Sequence, residues 1–563
     1  MGQTIRSLLD SHAAGRRPAE TIERAYAAIA AHDDPALFIA LRPKAEALKI
    51  AEALADAGPA NKPLFGAPFV VKDNIDVAGF ATTAACPAFA YRPTRSAFVV
   101  DRLERAGAIA IGKTNLDQFA TGLVGVRSPY GVPRNALRAD LIPGGSSSGS
   151  ATAVGAGIVP FALGTDTAGS GRIPAALNGI VGLKPSLGAL SATGVVPACR
   201  TLDTVSIFAR DVADAFLVYQ IAAAYDASDP YSRRTPAPTL SAPPPNPRIG
   251  VPRKNQRQFF GDRDSEAAFD RDVVGLAELG ATIVEFDMEP FYQTARLLYD
   301  GPWVAERYSA TKPLIETNPE ALFPVTRMII EGARKYDATA AFEAFYKLAG
   351  LKRETAKVWG VCDVMVLPTL PRPYTVAEAI ADPIVLNSNL GTYTNFVNLL
   401  DLAAIAAPSS MRADGLPASL TFIGPAGADG LLAGLAQQVQ LRSRSAFDAT
   451  AASASPARPA ASSAGRFEIA VVGAHLSGLP LNSELTALGA VFVREVETIP
   501  AYRLFALPDA NPPKPGLLRV AAQKGHAIAA EIWSFEPAAF ATFVAAIPAP
   551  LGIGTLHFSD GAS

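Results

Sequence analysis

Residues 144–174 read GGSSSGSATAVGAGIVPFALGTDTAGSGRIP, and how this stretch is interpreted decides the rest of the chain. It holds five serines and eight glycines, with one aspartate and one arginine near its end. Residues 141–165 carry no charge and are long enough to cross a bilayer. A lipid-facing helix, however, is built mostly from Leu, Ile, Val and Phe, whereas Gly, Ser and Pro crowd this run. It reads as buried, Gly-rich backbone around a short apolar strand, GIVPFALG (157–164).

So many hydroxyls raise the question of a nucleophile, because a serine needs an adjacent base to accept its proton. GSSSG (145–149) fits the nucleophile-elbow pattern with Ser147 at its centre, but that arrangement requires a downstream histidine held by a carboxylate. The five histidines are His12, His32, His475, His526 and His557, and none falls between His32 and His475. Lysine is the remaining candidate. A buried ammonium without a carboxylate partner loses solvation and is driven toward the neutral amine. Lys72, in APFVVKDNID (67–76), follows an apolar strand that would bury its stem. The alternative is a lysine that snorkels from a strand end or pairs with Asp73 or Asp76.

GAIAIGKT (107–114) matches the phosphate-binding P-loop pattern, but its spacer residues, Ala, Ile, Ala and Ile, are strand-like. A sheet would consume the N–H groups that phosphates need.

Outward from these segments, residues 4–58 show helical spacing, as in AETIERAYAAIAAH, and then short apolar runs alternate with helical patterns. APFVV, AIAIG, DVMVLP and ASLTFIG are such runs, so a sheet covered by helices on both faces is expected. RTPAPTLSAPPPNPR (234–248) reads as a surface excursion. A sharper break is ATAASASPARPAASSAGR (449–466), which has too little apolar bulk to pack and reads as a linker. Residues 1–448 are thus expected to form a large catalytic domain and 467–563 a small α+β domain.

The balance of 50 basic and 52 acidic residues offers no field for a polyanion, so nucleic acid is not an expected partner. MGQTIRSLLDSHAAGRR lacks the layout of a secretory signal and reads as an amphipathic helix, giving a cytoplasmic expectation. Three cysteines, Cys86, Cys199 and Cys362, without CxxC spacing suggest neither disulfides nor a zinc site. No metal or organic cofactor is implied.

VVKDN (70–74), GGSSSGS (144–150) and GTDTAGSGRIP (164–174) together resemble the three parts of the amidase signature family of serine hydrolases, in order and interval. The resemblance covers residues 1–445, with AGAIAIGKTNLDQFATG (106–122) and NGIVGLKPSLG (178–188) as supporting pieces. It implies a large mixed-sheet α/β/α domain in which Ser170 is the nucleophile, Ser146 the bridging serine and Lys72 the base. The backbone N–H groups of Thr167, Ala168, Gly169 and Ser170 would form the oxyanion cradle; the family often has glycine where Ala168 stands. Asp166 and Arg172 are read as fixing the turn through charged hydrogen bonds, and Ser147, Ser148 and Ser150 as turn or cap hydroxyls.

LLYDGPWVAERYSA (297–310) offers an arginine fork and a phenol suited to a carboxylate. Asp300 and Pro302 suggest that a helix begins here, with Tyr299 just outside it and Arg307 in its second turn. This stretch and the C-terminal VVGAHLSGLPLN (471–482) look like the allophanate hydrolase branch. By that resemblance Tyr299 and Arg307 bind the substrate carboxylate, with Thr121 and Gly122 beside them, and relatives are homodimers coupled to urea carboxylation or triazine breakdown.

The small domain is similar to the gamma-glutamyl cyclotransferase fold and would assist decarboxylation of N-carboxycarbamate, the first product. His475 is its candidate acid or base, or else a structural histidine. Relatives continue with further strands beyond LGIGTLHFSDGAS (551–563), so this domain is expected to be truncated. The competing readings are a malonamidase-like amidase, a glutamine-dependent transamidation component, and a non-catalytic scaffold.

Overall fold

Eleven strands form one mixed sheet. In chain order they are β1 (Phe38–Leu41), β2 (Pro68–Lys72), β3 (Ile109–Thr114), β4 (Phe161–Asp166), β5 (Val181–Lys184), β6 (Thr204–Ala209), β7 (Arg248–Pro252), β8 (Thr282–Phe286), β9 (Val364–Pro368), β10 (Leu402–Met411) and β11 (Pro417–Pro425). Their spatial order is β1-β3-β2-β4-β6-β5-β10-β11-β9-β7-β8. The computed structural model describes residues 3–563 apart from 236–237, 241–242, 245, 454–466, 507–514, 521–523, 548–550, 552, 555 and 560–563.

The strands nearest the centre are buried on both sides, which is why they read as continuous apolar runs rather than alternating ones. Phe69, Val71, Phe161 and Leu163 face one helical layer, with Val212, Ala215 and Phe216 among its contacts. Val70 and Ala162 face the opposite layer, which includes Ala151, Val154 and Ile22. The expected α/β/α layering is therefore present. The rings of Phe69 and Phe161 stack at 5.0 Å, and truncating either to alanine would cost about 3–5 kcal/mol.

β2 runs parallel to both β3 and β4, with Val71 opposite Leu163 and Lys72 opposite Thr114. Parallel pairing brings the C-terminal ends of β2 and β4 side by side, and the Gly-rich turns emerge there. β3 carries the P-loop-like sequence as a strand, hydrogen-bonded to β1 on one side and β2 on the other. Its N–H groups serve the sheet, as its strand-like spacer residues suggested.

By its internal contacts the chain divides into Met1–Ala451 and Ala452–Ser563. The last helix of the first unit runs from Asp429 to Ser453, so residues 449–453 of the Ala/Ser/Pro-rich stretch are helical. Residues 454–466, and parts of the Pro-rich segment 234–248, lie outside the described residues.

In the second unit a three-stranded antiparallel sheet has Ala529–Phe535 at its centre, flanked by Phe467–Val472 and Val491–Glu497. Helix Pro537–Ala545 packs Phe543 against Phe535, Trp533, Val471 and Leu485. A separate hairpin pairs Tyr502–Ala506 with Pro515–Arg519. Among the described residues, no helix is long and apolar enough to cross a membrane.

Candidate active site

Lys72 ends β2 with its side chain wholly buried. Its Nζ lies 2.8 Å from Ser146 Oγ and 2.7 Å from Thr165 Oγ1. Ser146 Oγ is in turn 2.9 Å from Ser170 Oγ, so one amine and two hydroxyls form a continuous chain. Both acidic neighbours that could have neutralised the amine are engaged elsewhere. Asp73 pairs with Lys113 at 3.0 Å and accepts from Thr83, while Asp76 accepts from Thr82 and Tyr91.

Burial pulls the Lys72 amine from its ordinary 10.5 down to about 7, against the opposing influence of Asp117, Asp203 and Asp166. It can therefore exchange a proton near neutral pH. With Lys72 donating, the polarity runs from amine to Ser146 to Ser170. A neutral amine lets the hydroxyl protons rotate and the polarity reverse, so that Ser170 donates to Ser146 and Ser146 to Lys72.

Ser146 and Ser170 are delivered by separate turns. The Gly145–Ser146 peptide is cis, and the helix Ser148–Gly155 follows at once. Gly145 is required sterically, because a Cβ there would lie 2.0 Å from Asp117 Oδ2. Ser170 sits between β4 and the short helix Ile173–Leu177. Asp166 organises this turn: its carboxylate accepts from Gly169 N at 2.9 Å, Gly171 N at 3.0 Å and Arg172 Nε and Nη2 at 2.9 Å each. Against the effect of burial, the Arg172 guanidinium beside it keeps that carboxyl below the usual carboxylate range.

This network corrects one expectation. Gly169 was expected to donate its N–H to an oxyanion, but that N–H is already engaged by Asp166. Among the described residues, Thr167, Ala168 and Ser170 have N–H groups without an acceptor. The Thr167 hydroxyl donates to Asp203, and Asn398 Nδ2 holds the Asp166 carbonyl at 2.8 Å.

Arg307 is buried, and its Nη1 donates to Ala120 O and Thr121 Oγ1, each at 3.1 Å. Its guanidinium carbon lies 5.6 Å from the Tyr299 ring centroid. Arg307 Nη2 and Tyr299 OH are both buried and lack partners among the described residues. The next residue after Thr121, Gly122, connects this group to the hydroxyl chain, because its carbonyl is 3.5 Å from Ser170 Oγ. Thr121, Gly122, Tyr299 and Arg307 are thus brought to the serines. Tyr299 differs from expectation in one respect. It lies inside the helix Glu289–Asp300, whereas Arg307 belongs to the next helix, Val304–Thr317. The break falls at Gly301–Trp303, later than the sequence suggested.

His475, in the second unit, lies 3.1 Å from Glu484 through Nε2, and its ring meets Phe543 edge-on. Sequence reading missed Thr165, Asp117 and Asp203. Thr165 lies inside β4, Asp117 three residues beyond β3 and Asp203 just before β6, and polar residues at such places are too common to identify a site.

Residues 20–433 match the family model described as Amidase. The chain belongs to the amidase family. Residues 467–563 match the model described as Allophanate hydrolase C-terminal domain. Urea amidolyase from Saccharomyces cerevisiae is 45% identical over 513 residues, which is 89% of this chain and 28% of that protein. The chain therefore spans little more than a quarter of that relative. A glutamyl-tRNA(Gln) amidotransferase component from Symbiobacterium thermophilum is 36% identical over 65% of the chain and 80% of its own length. Among solved structures, Kluyveromyces lactis allophanate hydrolase superposes with a TM-score of 0.75 at 41% identity, covering 100% of this chain and 94% of that one. The Amidase match spans all eleven strands of the mixed sheet, and the C-terminal match falls in the second unit.

Proposed function

We propose that this amidase-family chain is an allophanate hydrolase, a serine amidohydrolase that deaminates allophanate to N-carboxycarbamate and ammonia. The observation that carries this reading is the pair of unsatisfied donors on Arg307 and Tyr299, joined through Thr121–Gly122 to Ser170. Buried polar groups without partners cost roughly 1–3 kcal/mol each, and a carboxylate would satisfy both. The likeness to Kluyveromyces lactis allophanate hydrolase over the whole chain supports the same substrate.

In this reading Arg307 and Tyr299 hold the carboxylate end and present the terminal amide carbonyl to Ser170. Neutral Lys72 takes a proton from Ser146 as Ser146 takes one from Ser170, and Ser170 Oγ bonds to the carbonyl carbon. Negative charge on the carbonyl oxygen meets the N–H groups of the turn at Thr167, Ala168 and Ser170. As the C–N bond breaks, the proton returns through Ser146 to the departing nitrogen and ammonia leaves. Water then attacks the acyl ester, gives its proton to the same relay, and frees Ser170.

The reading extends to a cytoplasmic homodimer supplied by a urea carboxylase, with an Ala/Ser/Pro linker at 449–466 and a small domain whose His475 aids decarboxylation of the product. Catalytic roles on the amidase unit are supported by the uninterrupted hydrogen-bond chain, and a part for the small domain by the match of residues 467–563 to the model described as Allophanate hydrolase C-terminal domain. The deciding experiment measures ammonia from allophanate, malonamate and glutamine in parallel. Turnover of allophanate at least about tenfold above the others is expected, the ratio that 1.4 kcal/mol of differential binding gives. A preference for glutamine or malonamate would overturn the substrate.

A further inference from the structure

Asp117 has a place in this site that the hydroxyl chain does not explain. It is wholly buried, and one carboxylate oxygen accepts from Gly125 N at 2.9 Å while the other accepts from Arg127 N at 2.9 Å. Its own N–H donates to the carbonyl of Ser146 at 3.0 Å, and its carbonyl accepts from Ala120 N at 2.9 Å. The carboxylate is pressed against two glycines at once. A Cβ on Gly122 would lie 2.6 Å from Asp117 Oδ2, and one on Gly145 would lie 2.0 Å away. One residue thus touches the backbone of the bridging serine and the turn that faces Ser170.

That turn is bent against its own preference. Phe119 and Ala120 have φ values of 50° and 52°, left-handed conformations that cost non-glycine residues of order 1–3 kcal/mol each. The bend aims the Ala120 carbonyl and Thr121 hydroxyl at Arg307, and Arg127 Nη1 holds the Thr121 carbonyl at 2.9 Å. Such a conformation persists only where surrounding contacts fix it, and Asp117 supplies three of them, to Ala120, Gly125 and Arg127.

We propose that Asp117 is a positioning residue for the amide reaction, locking the Ser146 peptide to the Thr121–Gly122 turn and serving as counter-charge to the Lys72 relay. The proposal rests on the assignment of Lys72 as base and Ser170 as nucleophile. The charged groups around Lys72 are Asp117, Asp203 and Asp166, which favour its ammonium form, and Arg307, which opposes it; Asp117 is the largest of the four influences. Burial raises the Asp117 carboxyl above the usual carboxylate range, and its charged form is favoured in turn by Arg127, by the N–H groups of Gly125 and Arg127, and by Lys72.

Two variants test the idea. Asp117→Asn keeps the shape and removes the charge; Gly122→Ala keeps the charge and displaces the carboxylate. For each, kcat/KM for allophanate is measured from acid to alkaline pH, across the range in which the amine titrates. Loss of the counter-charge in Asp117→Asn favours the neutral amine, so its acid limb should move down by about half to one pH unit, whereas Gly122→Ala, which keeps the charge, should leave the limb close to that of the parent. The plateau should fall by about 10- to 100-fold as the turn loosens. An Asp117→Asn plateau that falls while its limb stays fixed would overturn the proposal, because that is the signature of a structural anchor alone. Failure of both variants to fold would overturn it in the same way. If the wild-type rate does not rise with pH at all, the assignment of Lys72 is what fails, so the two outcomes are distinguishable.

Discussion

Asp73 follows Lys72 in the chain, yet its carboxylate lies 3.0 Å from Lys113 Nζ on β3, with both side chains wholly buried. Two lysines on adjacent strands therefore meet opposite conditions. Lys113 has a carboxylate, and Lys72 has only hydroxyls in contact. Breaking a buried pair by removing one partner leaves an uncompensated charge, so Lys113→Met should cost about 3–5 kcal/mol, read from urea midpoints at constant slope. Adding Asp73→Asn should restore most of that loss. A single variant as stable as the parent would show that the pair anchors nothing.

The shifted amine predicts two pH dependences of the same sign. Activity should rise through about pH 7 as Lys72 loses its proton, and full activity well below that value would contradict the base assignment. Stability should also rise with pH. Between about 7 and the ordinary lysine value of 10.5 the unfolded chain binds more protons at this residue than the folded one does. Below that window both forms are charged, and the folded protein bears the full desolvation cost. Lys72→Met should remove this part of the slope and abolish turnover, which parallel thermal melts at the two ends of the window would reveal.

Replacement of either hydroxyl separates the roles of the two serines. Ser170→Ala should lose at least about 10³-fold in kcat and take up no serine-reactive phosphonate, as intact mass would show. Ser146→Ala should still be labelled, only more slowly. Equal labelling of parent and Ser170→Ala would move the nucleophile elsewhere.

Arg307→Ala should raise KM for allophanate by about 10- to 100-fold, the range expected for one charged hydrogen-bond partner, with a smaller effect on neutral amides. Tyr299→Phe should give the same pattern in weaker form. An equal loss on charged and neutral substrates would remove both residues from carboxylate recognition.

His475→Ala in the second unit should leave the first ammonia unchanged and slow carbon dioxide release to the rate of the free intermediate. Time courses of both products from allophanate decide this. Unchanged carbon dioxide release would return His475 to a structural partner of Glu484.

Much of this arrangement was legible because its chemistry requires unusual residues. A serine-rich segment without a histidine within reach left lysine as a candidate base, the strand ending at Lys72 implied burial, and the resemblance of three motifs to the amidase signature family singled Lys72 out from a snorkelling or ion-paired lysine. The P-loop-like sequence was read as a strand because its spacers are β-formers, and β3 bears that out. Gly169 was misread, since a Gly-rich turn announces free N–H groups but not which of them a nearby carboxylate will capture. Tyr299 was misplaced because Gly301 and Pro302 mark a break without saying which side continues the helix. Asp117 and Thr165 left no trace of their importance in the sequence, as each acts through contacts between segments far apart in the chain.

The left-handed bend at Phe119 and Ala120 has a bearing on mutational drift. Ala120 carries a Cβ in a conformation that glycine would adopt freely, so Ala120→Gly should be tolerated locally while relaxing the turn that Arg307 grips, with the buried Phe119 ring still packed edge-on against Phe89. Substrate choice would then broaden before the protein loses any thermal resistance, leaving a descendant that folds well and discriminates poorly.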